Sequence, residues 1–144
     1  MGEIGSIILD SVCAQIAALD LNELEDFHIS MNVSARQIMR PGWAAQVAYA
    51  LVAHGADPRH LQIELAENIV MAEAGSVHAI LGDLRALGVS LAIDDFGTGF
   101  SSLASIKNFP LHTLKIDRSF VHEIVTNSSD QAVAKTIIDR KSVV

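Results

Sequence analysis

The sequence predicts an α/β fold, a partial (β/α)8 TIM-like barrel of about four βα units. Three observations carry that prediction. Helical and strand-like patterns alternate in units of about 30 residues, the spacing of parallel βαβ connections. Each strand-like run has one oily face and one that turns polar, whereas a doubly wound sheet is apolar on both faces. The polar residues gather at the C-terminal ends of the runs, where barrels of this kind carry their chemistry.

Ile4 to Leu19 opens with a helical pattern in which Ile7, Ile8, Val12 and Ile16 form the expected buried stripe. The run HISMNVS from His28 is the first strand. Ala44 to Ala53 is the next helix, with Val47, Leu51 and Val52 expected inward and Gly55 suited to its C-cap. LQIELAE from Leu61 is the second strand, and Glu73 to Leu87 a helix carrying Val77, Ile80, Leu81, Leu84 and Leu87 at helical period before Gly88. VSLAIDD from Val89 is the third strand; a short helix capped by Ser101 then leads to HTLKID from His112, the fourth. Ser128 and Gln131 have the spacing of a capping box and predict a last helix through Ile137 and Ile138.

Side chains alternate across a strand. Met31, Val33, Ile63, Leu65, Leu91, Ile93, Leu114 and Ile116 are therefore expected beneath the helices, and Ser30, Asn32, Gln62, Glu64, Ala92, Asp94, Thr113, Lys115 and Asp117 on the opposite, luminal face. No linker, low-complexity tract or charge block divides residues 1–144, so a single domain is expected.

Half of the 144 residues are hydrophobic, yet no apolar run reaches the roughly 18 residues that span a bilayer. No signal-peptide pattern opens the chain, and a cytoplasmic protein is expected. A formal charge of −7 without a basic stripe argues against DNA or RNA polymers as partners. A phosphate-bearing ligand would be repelled by the acidic clusters unless cations stood between them. Cys13, the only cysteine, is expected to be a small core residue.

On the barrel, Asn32, Glu64, Asp94, Asp95, Lys115 and Asp117 converge at one rim. Oxygen donors of this kind suit Mg²⁺ or Mn²⁺, and the six scattered histidines offer no zinc-ligand spacing. Asp94 and Asp95 would face opposite ways on a regular strand. Where the strand breaks into a loop, both can serve two neighbouring ions, roughly 3.5–4 Å apart, that bind a phosphate and lower the pKa of a water. Lys115 would add a fixed positive charge beside the phosphoryl oxygens or that water. Each residue also has a plainer explanation: a lone Asp at a strand end is more often a turn or cap residue, and Lys115 with Asp117 is equally an ion pair. Six such residues at equivalent ends of four strands favour a shared site. The glycines at 97 and 99 supply a mobile loop beside it or a plain turn, and the Gly-Lys-Ser/Thr of a P-loop is absent.

Four stretches, MNVSARQI at Met31–Ile38, ELAEN at Glu64–Asn68, DDFGTGFSSL at Asp94–Leu103 and LKIDRSFV at Leu114–Val121, resemble the EAL-domain family of cyclic di-GMP phosphodiesterases. The likeness runs from about Ile4 to Asp139. It implies a barrel of the EAL type that uses two Mg²⁺ or Mn²⁺ ions to open cyclic di-GMP to pGpG. Asn32, Glu64, Asp94 and Asp95 would be metal ligands. Lys115 and Asp95 would act on the water or phosphate, with Asp117 at the edge of the site. Glu67 would steady the control loop of Gly97, Thr98, Gly99 and Phe100, which lies beside a surface the family uses to form homodimers. The Glu-Ala-Leu motif and the late Val-Glu element of the family are not in this sequence, and Ala66 and Asn68 replace a usual threonine and a small hydroxyl residue. The expectation is part of an EAL domain, inactive alone. The alternative is a non-catalytic EAL-like module that binds the dinucleotide or a protein, separable because it would bind without releasing product.

Overall fold

The sheet takes its order from chain order. The structure, a computed structural model, describes residues 2–21, 23–72, 74–97 and 108–123. Its elements are α1 (Gly2–Ala18), β1 (Ile29–Asn32), α2 (Ala35–Ile38), α3 (Trp43–His54), a 3₁₀ turn (Pro58–His60), β2 (Leu61–Ala66), α4 (Glu67–Ala72), α5 (Ala74–Ala86), β3 (Ser90–Phe96), β4 (Thr113–Ile116) and α6 (Arg118–Glu123). The four strands lie side by side as β1-β2-β3-β4, every pair parallel. Sequential parallel order is the progression of a (β/α) barrel rather than of a doubly wound sheet, whose order reverses.

The oily strand face packs as the alternation predicts. Met31, Val33, Ile63, Leu65, Leu91 and Ile93 are buried in one core with Leu9, Cys13 and Ile16 of α1, Trp43, Val47 and Leu51 of α3, and Val77, Leu81 and Leu84 of α5. β4 departs from it: Leu114 is half-buried and Ile116 is exposed. β4 is the last strand of the described sheet, and it has a strand neighbour on one side only.

The helix stripes correct the expected ones. α1 buries Leu9, Cys13 and Ile16, while Ile7 and Ile8 are exposed. Residues 9, 13 and 16 follow the 3.6-residue period closely, and Ile7 and Ile8 fall off that line. For the same reason α3 buries Val47, Ala50 and Leu51 and leaves Val52 in solvent. α1 also passes close to α2. A Cβ built on Gly5 would meet the Gln37 amide nitrogen at 2.1 Å. Gly55 is left-handed at the α3 C-cap, as expected.

Three helices were not anticipated. α2 begins directly after the expected first strand and takes its last residue, Ser34, as N-cap: Ser34 accepts from the Gln37 backbone while the Gln37 side chain accepts from the Ser34 N–H, a complete capping box. α4 starts immediately after β2, and α6 immediately after Asp117. The expected short helix at Ser101 and the helix from Ser128 lie outside the described residues.

Two titratable groups are fixed by packing. Burial, with Asp10 adding to it, pushes the Cys13 thiol up to about 11, which leaves it unreactive at neutral pH. His112 joins β4 to β3: its N–H donates to the Leu91 carbonyl at 2.9 Å, and its ring Nδ1 accepts from the Leu91 N–H at 3.1 Å. Burial, and secondarily Arg85, lowers its pKa below the ordinary 6.5. A depressed histidine contributes stability that is present above the unfolded-state pKa and is lost as the pH falls below it. Thermal midpoints are expected to drop between about pH 7 and pH 5. His112→Asn, which keeps an acceptor near Nδ1 but does not titrate, is expected to flatten part of that drop in calorimetry.

Candidate functional site

The luminal face is built from side chains that reach across strands. Gln62 on β2, only 1% exposed, accepts from Ser30 Oγ on β1 at 3.0 Å and donates to Thr113 Oγ1 on β4 at 3.3 Å. β2 and β4 are separated by the whole of β3, about 9–10 Å of sheet. A direct bond over that span requires a concave face, and the small Ala92, fully buried between them, leaves room for it. One level higher, Lys115 Nζ on β4 donates to Glu64 Oε1 on β2, again across β3. Glu64 is 3% exposed and its partner 44%, so a buried carboxylate is met by a cation entering from the open side. The plainer alternative for Lys115, an ion pair with Asp117, is not what the structure shows: its ammonium pairs with Glu64.

β3 carries a bulge at Asp94 and Asp95. Ile93 pairs with Leu114 and Phe96 with Ile116, so two residues of β3 stand opposite the single Lys115 of β4. The extra residue resets the alternation. Phe96, which strict alternation would place on the luminal face with Asp94, is instead 2% exposed and packed in the core. Asp95 has a left-handed φ of 55°, a conformation to which Asp is better suited than most side chains. Its N–H donates to Asp94 Oδ1 at 2.9 Å.

The turn that follows is held on two sides. Glu67, the first residue of α4 and 2% exposed, accepts the Gly97 N–H at 2.9 Å. On the other side the Asp117 N–H donates to the Phe96 carbonyl at 2.9 Å. Asp117 itself begins α6. Its Oδ1 accepts from the Ser119 hydroxyl and N–H, the hydroxyl first in effect, and these bonds hold its carboxyl below the ordinary carboxylate value. That is the capping role open to any strand-end Asp. Thr98, Gly99 and Phe100 lie outside the described residues.

Asn32 ends β1 in register with Glu64, and Asp94 stands two pairs further along, opposite Ala66. Asn32, Glu64 and Asp94 offer oxygen donors of the kind a hard divalent cation takes, and the buried Glu64 already draws the positive charge of Lys115. Among the described residues no three His, Cys, Asp or Glu side chains surround one point. The donor chemistry suits a hard divalent cation, and Asn32, Glu64 and Asp94 are oxygen-bearing side chains near the C-terminal ends of three adjacent strands. Sequence reasoning missed Gln62 as a bridge and Phe120, which lies against Gly97. For Gln62 the signal was present, a polar residue at a luminal position; for Phe120 there was none, because α6 was not anticipated.

A cleft of about 880 Å³ opens beside β1, lined in part by Asn32, Arg36, Arg40 and Trp43. No helix among the described residues is long and apolar enough to cross a membrane.

The EAL domain profile matches residues 1–141. The chain is 39% identical over 136 residues to the bifunctional diguanylate cyclase/cyclic di-GMP phosphodiesterase MucR of Pseudomonas aeruginosa, covering 94% of this chain and 20% of that protein. The MucR phosphodiesterase solved as a cyclic di-GMP complex superposes with a TM-score of 0.80 at 39% identity, over 95% of this chain and 56% of that one. The manganese and cyclic di-GMP complex of Klebsiella pneumoniae BlrP1 gives 0.73 at 26% identity, over 90% of this chain and 33% of that one. The chain thus spans about a fifth of MucR and about half of its solved phosphodiesterase chain.

Proposed function

The chain belongs to the EAL domain family, and from that membership we propose that it forms the metal-binding half of a cyclic di-GMP phosphodiesterase site, which opens cyclic di-GMP to pGpG. The observation that supports this proposal is the β3 bulge, which sets Asp94 and Asp95 opposite Lys115, whose ammonium reaches the buried Glu64. The cyclic di-GMP complexes of MucR and BlrP1 support the ligand class, and the manganese in BlrP1 supports a divalent cation.

Asn32, Glu64, Asp94 and Asp95 would hold two Mg²⁺ or Mn²⁺ ions. When bound, such ions neutralise the scissile phosphate and lower the pKa of a water. Lys115 supplies positive charge on the luminal side and holds Glu64 in place. Asp95 orients the water, and Asp117 shapes the rim by starting α6. Glu67 steadies the loop of Gly97, Thr98, Gly99 and Phe100, through which a homodimer forms. The protein is cytoplasmic, residues 1–144 are a single partial EAL domain, and the chain alone has little turnover.

A second reading, binding without turnover, is favoured by one observation: the buried Glu64 is already engaged by the Lys115 ammonium. Titration of the chain with cyclic di-GMP by calorimetry tests the ligand that both readings share. Binding that needs Mn²⁺ and weakens at least about tenfold in Asp94→Asn is expected. Absence of binding, or equal binding of cyclic di-AMP, contradicts it.

A further inference from the structure

The Asp94–Asp95 turn is clamped through one peptide group. The carbonyl of Phe96 and the N–H of Gly97 belong to the same peptide plane. The carbonyl accepts from the Asp117 N–H and the N–H donates to Glu67 Oε2, both at 2.9 Å. Rotating that plane breaks both bonds together and releases the bulge that sets the direction of Asp94 and Asp95. Gly97 has a φ of 100°, so its own backbone does little to prevent the rotation.

What closes over it is Phe120. A Cβ built on Gly97 would lie 2.5 Å from Phe120 Cβ, 2.6 Å from Cγ and 2.8 Å from Cδ2. The same ring meets Phe96 edge-on, with centroids 5.9 Å apart and planes at 70°. Phe120 is 5% exposed although it sits on the six-residue α6. Its ring therefore covers both residues that share the clamped peptide, and α6 is fixed to that peptide a second time through the Asp117 N–H.

We propose that Phe120 is a positioning residue for the acidic pair: packed over Gly97 and against Phe96, it keeps the Phe96–Gly97 peptide in the one orientation that satisfies Glu67 and Asp117 and presents Asp94 and Asp95 side by side. The geometry stands without the functional reading; only its consequence for catalysis rests on that reading.

Amide hydrogen exchange of the 144-residue chain, read by NMR, tests it. Phe120→Ala is expected to speed exchange at Gly97 by at least tenfold and to move the Asp95 and Gly97 cross-peaks, while α1 and α3 amides keep their rates. Phe120→Leu, which keeps atoms near the Gly97 contact, is expected to retain most of the protection, and Val121→Ala, an exposed change on the same helix, all of it. Unchanged Gly97 exchange in Phe120→Ala overturns the proposal. So does a uniform rise across α1, α3 and β2 or loss of the fold in both Phe120 variants, since either makes Phe120 a packing residue only.

Discussion

Gly97→Ala is expected to lower the thermal midpoint of the chain by about 12 °C, from a destabilisation of about 4 kcal/mol. Three costs add. An L side chain at a φ of 100° is strained by roughly 1–2 kcal/mol. The new methyl would overlap Phe120 Cβ at 2.5 Å, and relieving such overpacking costs about 1–3 kcal/mol. Any shift of Gly97 also stretches its bond to Glu67, a carboxylate 2% exposed, and weakening a bond to a buried charged group costs about 1–3 kcal/mol. Glycine is required here for space as well as for conformation. Gly42→Ala, at a φ of 79° with nothing within 4 Å of the added Cβ, serves as the control that carries strain without overlap. A shift for Gly97→Ala no larger than for Gly42→Ala would show that the contact with Phe120 contributes little.

Most of the fold was legible because its main signals are periodic. Alternation in LQIELAE and VSLAIDD placed Ile63, Leu65, Leu91 and Ile93 on the core face and Gln62 and Glu64 on the other, and β2 and β3 follow it. What escaped were features that interrupt a period. The bulge between Ile93 and Phe96 inserts one residue into a run that reads as regular, so Phe96 moves to the core. Ser34 and Gln37 carried a capping-box spacing that ended β1 early, and it went unused because NVS continues the strand pattern. In α1 the expected stripe holds at Val12 and Ile16 and fails at Ile7 and Ile8, because isoleucines crowd its first two turns and only one face of the helix has a partner.

The candidate site divides in the same way. The adjacency of Asp94 and Asp95 is visible in sequence, but the bulge they occupy comes from pairing with β4, a partner about twenty residues away. Lys115 was placed on the luminal face, while its bond to Glu64 depends on sheet curvature, which no local pattern encodes. Asp117 was grouped with the chemistry, and its carboxylate is occupied in capping α6.

The central claim is that this chain supplies a working acidic pair to a cyclic di-GMP phosphodiesterase. A segment exchange tests it most directly. The chain replaces the matching stretch of the solved MucR phosphodiesterase domain, to which it is 39% identical with a TM-score of 0.80. Release of pGpG from cyclic di-GMP is then followed by chromatography with and without Mn²⁺. Asp94→Asn in the exchanged segment keeps the size and a hydrogen-bonding oxygen at residue 94 but removes the charge that would hold a cation. If Asp94 is a ligand, the loss of several kcal/mol of charge stabilisation lowers the rate by about a thousandfold. Mn²⁺-dependent pGpG release by the exchanged domain is expected, with its loss to that extent in Asp94→Asn. An exchanged domain that folds and binds cyclic di-GMP but releases no pGpG, or one whose turnover survives Asp94→Asn, contradicts the claim.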